Sequence, residues 1–99
     1  MFQIFFLPAV QEELDRLESR SSNAGLVKQI KKTIYWLGAN PRHPSLQTHE
    51  YHSIPNPIDK NEKVFEAYVQ NRTPAAYRIF WCYGPDKKQI TIIAITPHP

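Results

Sequence analysis

The chain has 99 residues, enough for one domain around a single modest core. Hydrophobic residues make up 41% and aromatics 12%, which excludes a disordered chain. The net charge of +3 permits an RNA, DNA or acidic-protein partner without requiring one. One cysteine, Cys82, excludes an intrachain disulfide and reads as a small buried hydrophobe. No apolar run approaches the ~18 residues of a membrane span. The opening Met1–Pro8 lacks the basic start, long apolar core and cleavage site of a secretory leader, so a cytoplasmic protein is expected.

Phe2 to Leu7 is a compact apolar run suited to a buried strand, closed by Pro8. From Ala9 to about Arg20 the period becomes helical, with Val10, Leu14 and Leu17 at i, i+4 and i+7 and acidic residues on the other side. Ser21-Ser22-Asn23 breaks the pattern. A second helix is predicted over Ala24–Leu37, its stripe carried by Val27, Ile30, Ile34 and Leu37 and its polar side by Lys28, Lys31 and Lys32. Gly38 suits the position just past its end, and Pro41 follows. An acidic first helix and a basic second one can pair antiparallel, with opposite charges meeting at the rim.

After the Pro-rich Asn40–Pro44, residues Thr48–Ile54 read as a short edge strand of poor alternation. Pro55–Glu62 is a polar loop. Lys63–Gln70 alternates well and reads as a strand. Asn71–Pro74 turns the chain. Ala75–Tyr83 and Gln89–Pro97 then flank Gly84-Pro85-Asp86-Lys87 as a β-hairpin. The expected fold is therefore one α+β domain over residues 1–99, a strand, two helices and three or four further strands. Its mainly antiparallel sheet of 4–5 strands should carry the helical hairpin on one face. Nothing remains in the chain to cover the other face, which is expected to lie partly open.

Alternation puts Arg78, Phe80 and Cys82 on one face and Tyr77, Ile79, Trp81 and Tyr83 on the other. Arg78 shares a face with His98 if the numbers of opposed residues in the hairpin add to an even value, and is separated from it if they add to an odd one. Register cannot be read without the turn geometry. His49, His52, Lys63, Glu66, Tyr68 and Tyr77 could converge with them. Arg, His, Lys and Glu together suit phosphodiester chemistry. A base takes the proton of a ribose 2′-hydroxyl, a cation stabilises the phosphorane, and an acid protonates the leaving 5′-oxygen. That mechanism needs no metal or other cofactor. The bland alternatives are a surface His98 and an Arg78 that simply pairs with Glu66 across neighbouring strands. A zinc site of His43, His49 and His52 is disfavoured, because His-x-x-His on a strand points to opposite faces and no cysteine pair supports it. A phosphate-cradling Gly-rich loop is absent, the glycines being Gly25, Gly38 and Gly84.

Three segments together resemble the RelE/ParE toxin superfamily. They are Asn40-Pro41-Arg42-His43-Pro44-Ser45-Leu46 after the second helix, the strand Lys63-Val64-Phe65-Glu66-Ala67-Tyr68, and Tyr77-Arg78-Ile79-Phe80-Trp81. The resemblance implies a toxin partnered by an antitoxin. In the RelE branch the activity is cleavage of ribosome-bound mRNA; in the ParE branch it is inhibition of DNA gyrase. Arg78 matches the arginine that RelE-type members use on the phosphate, and His98 is similar in place to the C-terminal histidine of YoeB- and HigB-like members. The resemblance thus makes Arg78, His98, His52 and His49 catalytic candidates, with Lys63, Glu66 and Tyr77 as substrate-binding candidates. The chain departs from the family's pattern in three places, one being that no C-terminal helix is expected. His49 and His52 stand where basic residues are usual, and the tail Thr96-Pro97-His98-Pro99 has no tyrosine. Those departures keep a non-catalytic, protein-binding relative as the alternative.

Overall fold

Pro8 both stops the first strand and opens the first helix, since a proline at a helix start loses no hydrogen bond. The computed structural model describes residues 1–98. In it β1 (Gln3–Phe6) leads into α1 (Pro8–Glu18), a 3-10 turn at Ser21–Asn23 and α2 (Ala24–Ala39). A second 3-10 turn at Pro44–Leu46 precedes β2 (His49–Glu50), β3 (Phe65–Tyr68), β4 (Tyr77–Tyr83) and β5 (Gln89–Pro97). Pro99, the last residue of the tail, lies outside the described residues.

The sheet order is β1-β5-β4-β3-β2. β1 runs parallel to β5; the other three pairings are antiparallel. Val10, Leu14 and Leu17 of α1 and Val27, Ile30 and Leu37 of α2 pack onto Ala67, Ile79, Trp81, Ile90, Ile92 and Ile95 of the sheet. Each fully buried Leu or Ile side chain among them contributes about 1.5–3 kcal/mol. The helix charges meet as expected, with Lys31 Nζ 3.3 Å from Glu18. At this exposed rim the pair stabilises little.

Gly38 is not a cap. It lies inside α2, its carbonyl accepting from the Phe2 N–H at 2.7 Å. A Cβ there would meet the Phe2 carbonyl oxygen at 3.4 Å, so the helix end sits tightly against β1. Gly84 carries the requirement for glycine instead, with φ at +109° in the hairpin turn.

The β4–β5 ladder is where the register is set. From Trp81 to Tyr83 the opposed partners run Ile92, Thr91, Ile90; from Tyr77 to Phe80 they run Pro97, Thr96, Ile95, Ala94. Ile93 is the extra residue, a β-bulge. Before it, Ile90 and Ile92 face the helices; after it, Ile95 does. Thr96, and His98 two residues on, therefore share a face with Arg78.

The second face is less open than expected. Loop 51–64 folds over half of it. Tyr51 packs on Phe80 with ring centroids 4.7 Å apart, and Asn56 and Val64 are buried. Phe80 and Cys82 are fully covered as a result. The prolines and Asn56 make this possible without strand pairing, because Asn56 Oδ1 accepts from the N–H groups of Ile58 and Asp59. The predicted strand 48–54 is correspondingly short, only His49 and Glu50 pairing with β3.

Two outcomes check this packing. Ile92→Ala should cost about 2–5 kcal/mol in urea unfolding and Ile93→Ala clearly less, since the first fills the core and the second is the half-buried bulge residue. Burial pushes the Cys82 thiol up, the Asn56 side chain pulling weakly the other way. The native protein should therefore react with a thiol reagent at pH 8 at least about tenfold more slowly than the urea-unfolded chain.

Candidate functional site

β3 alternates cleanly. Phe65 and Ala67 oppose Trp81 and Ile79 on the helix face, so Glu66 and Tyr68 oppose Phe80 and Arg78 on the other. His49 pairs with Glu66 from β2, and Thr96 with Arg78 from β5. Four strands and the tail thus aim at the corner that loop 51–64 leaves uncovered.

Glu66 is the hub. Its side chain is only 3% exposed, and a carboxylate that deep must be partnered. His49 Nε2 lies 2.6 Å from Oε1. His98 Nδ1 lies 3.3 Å from Oε2, and Arg78 Nε 3.6 Å from the same oxygen. The last two separations are longer than short hydrogen bonds, and among the described residues neither Oε2 nor Arg78 Nε has a hydrogen-bond partner.

Arg78 is nearly as buried, with a side chain 8% exposed. Its Nη1 donates to the carbonyls of Gln70 at 2.5 Å and Tyr77 at 3.2 Å. The guanidinium lies on the face of the Tyr68 ring, Cζ 3.7 Å from the centroid. Such stacking suits arginine and fixes its plane. Among the described residues Nη2 has no hydrogen-bond partner.

The two histidines are about half exposed and differ in what they face. Both ring nitrogens of His49 meet oxygens, Nδ1 the Gln47 carbonyl at 2.9 Å and Nε2 the Glu66 carboxylate. One ring proton satisfies one of these oxygens. Satisfying both takes a second proton, on the ring or shared with Glu66. His98 turns Nδ1 toward Glu66, and Nε2 has no partner among the described residues. A carboxylate-bound imidazole, an imidazole nitrogen without a partner among the described residues and an oriented guanidinium stand together, groups of the types that can serve as acid, base and cation. Glu66, the most buried of the four, is the group that the other three share.

Of the residues expected from sequence, Arg78, His98, His49 and Glu66 come together. His52 and Lys63 do not. Both lie beside Glu50, at 3.4 Å and 3.9 Å, and Glu50 pairs with Phe65 on the helix face. Tyr77 also points to the helix face, packed against the core. The period of two explains Tyr77, the neighbour of Arg78 on β4, while His52 and Lys63 lie in the loop between β2 and β3. Tyr68 takes the place beside Arg78 instead. Gln70, which holds Arg78 through its carbonyl, carried no sequence signal because a backbone oxygen has no side-chain signature. Among the described residues, no group of three or more His, Cys, Asp or Glu is arranged to hold a metal ion.

Removing the hub should be costly. Glu66→Ala leaves Arg78 buried without its counter-charge and should lower unfolding stability by about 3–5 kcal/mol. His49→Ala, at the exposed end of the network, should cost about 1 kcal/mol. Equal losses in the two urea titrations would show that Glu66 does not organise the cluster.

No protein-family model matches the chain, and no curated protein matches it in sequence. Solved structures do match in shape. The heterotetrameric YoeB–YefM toxin–antitoxin complex from Staphylococcus aureus superposes with a TM-score of 0.63 at 13% identity, over 100% of this chain and 99% of that one. A YoeB/ParE toxin from Agrobacterium tumefaciens gives 0.66 at 11% identity, over 99% and 100%. A copper-bound mutant toxin from Helicobacter pylori gives 0.65 at 14% identity, over 99% and 96%. No helix in the described residues is long and apolar enough to cross a membrane. The strand order, the helical hairpin and these superpositions together identify the fold of the chain as that of the RelE/ParE-type toxins.

Proposed function

We propose that the chain is the toxin of a type II toxin–antitoxin pair and that its open-face cluster cleaves mRNA on the ribosome. The observation that carries the reading is the convergence of Arg78, His98, His49 and buried Glu66 on one uncovered corner of the sheet. The fold it shares with a YoeB–YefM complex supports an antitoxin as partner.

In this reading one imidazole takes the proton of the ribose 2′-hydroxyl. The freed 2′-oxygen attacks the adjacent phosphorus, and the bond to the 5′-oxygen breaks. The products are a 2′,3′-cyclic phosphate and a 5′-hydroxyl end. The second imidazole gives the leaving oxygen its proton. His98, with Nε2 free, meets the substrate directly, and His49 exchanges its proton with the Glu66 pair. Arg78 Nη2 faces the phosphate as its charge grows in the transition state. The chemistry runs on protein groups and needs no cofactor.

A second reading, a non-catalytic or gyrase-inhibiting relative, is favoured by the depth of Arg78, whose Nη1 is engaged by two carbonyls and whose Nε lies toward Glu66. Induced expression separates the two. Growth arrest with mRNA cut inside translated codons is expected, relieved by co-expression of a neighbouring antitoxin frame. Arg78→Ala should slow cleavage by roughly 10²–10³ and His98→Ala by roughly 10²–10⁴. Arrest accompanied by DNA damage, with mRNA intact, would favour the gyrase form, and the absence of any arrest would sink the toxin assignment.

A further inference from the structure

A depression adjoins the cluster and shares with it only Tyr68. It has a volume of about 180 Å³ and lies between α2 and the outer end of β3. Gln29, Lys32, Thr33 and Trp36 form its helix wall, at the i, i+3, i+4, i+7 spacing of one helix face; Tyr68 stands opposite. Trp36 is braced by His43, with ring centroids 3.9 Å apart, and by the edge of Tyr35 at 5.6 Å. Tyr35 itself is 62% exposed.

Two contacts join this groove to the catalytic candidates. Tyr68 forms its wall and also lies under the Arg78 guanidinium. Gln29 Oε1 accepts from Gln70 Nε2 at 3.2 Å, and the Gln70 carbonyl accepts from Arg78. The charge around it is positive. Lys31 is engaged by Glu18, but Lys28 and Lys32 have no acidic partner among the described residues. A buried lysine cluster would be costly; here the ammonium groups are exposed and can pair with phosphate.

From this we infer that the Trp36–Lys32–Tyr68 groove is a nucleotide subsite, which takes an unpaired base of single-stranded RNA next to the phosphate held at Arg78. The inference rests on the cleavage reading above and extends it to substrate binding. The groove is small against ligand pockets of about 300–1,000 Å³, so it admits one flat ring rather than a whole ligand. Aromatic walls stack on any base, the amide of Gln29 and the Thr33 hydroxyl offer hydrogen bonds to a base edge, and Lys32 offers a charge to the backbone. An acidic peptide would use the lysine but would leave the tryptophan and tyrosine faces without a matching plane.

The test uses the full chain and a fluorescein-labelled 2′-O-methyl oligoribonucleotide, which cannot be cleaved, read by anisotropy. Lys32→Glu and Trp36→Ala should each weaken binding about 5- to 50-fold. Circular dichroism confirms folding, and Trp36→Phe, which keeps a ring, should recover most of the affinity. RNA should also quench the Trp36 emission, while Trp81, fully buried, stays unaffected. If Arg78→Ala weakens binding and the groove variants do not, the subsite is overturned and the cleavage reading stands. If the groove variants weaken it and Arg78→Ala does not, the subsite stands and the cleavage reading loses its anchor. Wild type that binds an acidic peptide in preference to the oligonucleotide, or binds no RNA, overturns the inference.

Discussion

Between Phe80 and Trp81 the central ladder shifts by one residue, and Ile93 is left over on β5. A side chain on a strand changes face with every residue, so this single insertion exchanges the two faces for everything that follows. Ile95 enters the core with Ile79, and Thr96 and His98 come round to Arg78 and Glu66. A ladder continued in the register of Trp81–Tyr83 would have opposed Ile95 to Arg78 and turned His98 toward the helices. The core and the cluster thus depend on the same bulge, and the burial of Ile95 among the helix-facing residues is what holds the register in place.

Burial also explains the electrostatics of the cluster. Glu66 and Arg78 are both almost wholly enclosed, on adjacent strands, Arg78 stacked on the Tyr68 ring and Glu66 beside two half-exposed histidines. Neither charge could lie there alone, because desolvation costs several kcal/mol per ion. Mutual attraction and the two carbonyls on Nη1 offset that cost. The outcome is a rigid charged floor with two half-exposed imidazoles at its rim. In the proposed cleavage such a floor would position the reacting groups and the rim would carry the proton transfer. The same Tyr68 that flattens Arg78 forms the wall of the α2 groove, so the charged cluster and the groove share one side chain.

Much of the fold was legible in the sequence. The 3.6-residue stripes gave both helices nearly to their ends, and the hairpin strand Gln89–Pro97 matches its predicted span. The even-numbered face of β4 also held. Less was legible where side chains meet from distant segments. His52 and Lys63 looked equivalent to His49 and Glu66 by residue type, yet they gather at Glu50. The loop that covers Phe80 and Cys82 showed only prolines and polar residues, a composition that marks a loop but not where it folds. One signal was available and passes easily unnoticed: the adjacent pair Ile92-Ile93 interrupts the alternation of β5 and marks the bulge.

By itself the sequence determined the local elements, because helix and strand periods and the punctuation by Pro8, Pro41 and Gly84 act over a few residues. It also determined which residue types were available for phosphodiester chemistry. Only the tertiary structure decided which of them meet. That choice follows from register, from the face on which loop 51–64 lies, and from the pairing of β2 with β3, each of them set by packing between residues far apart in the chain.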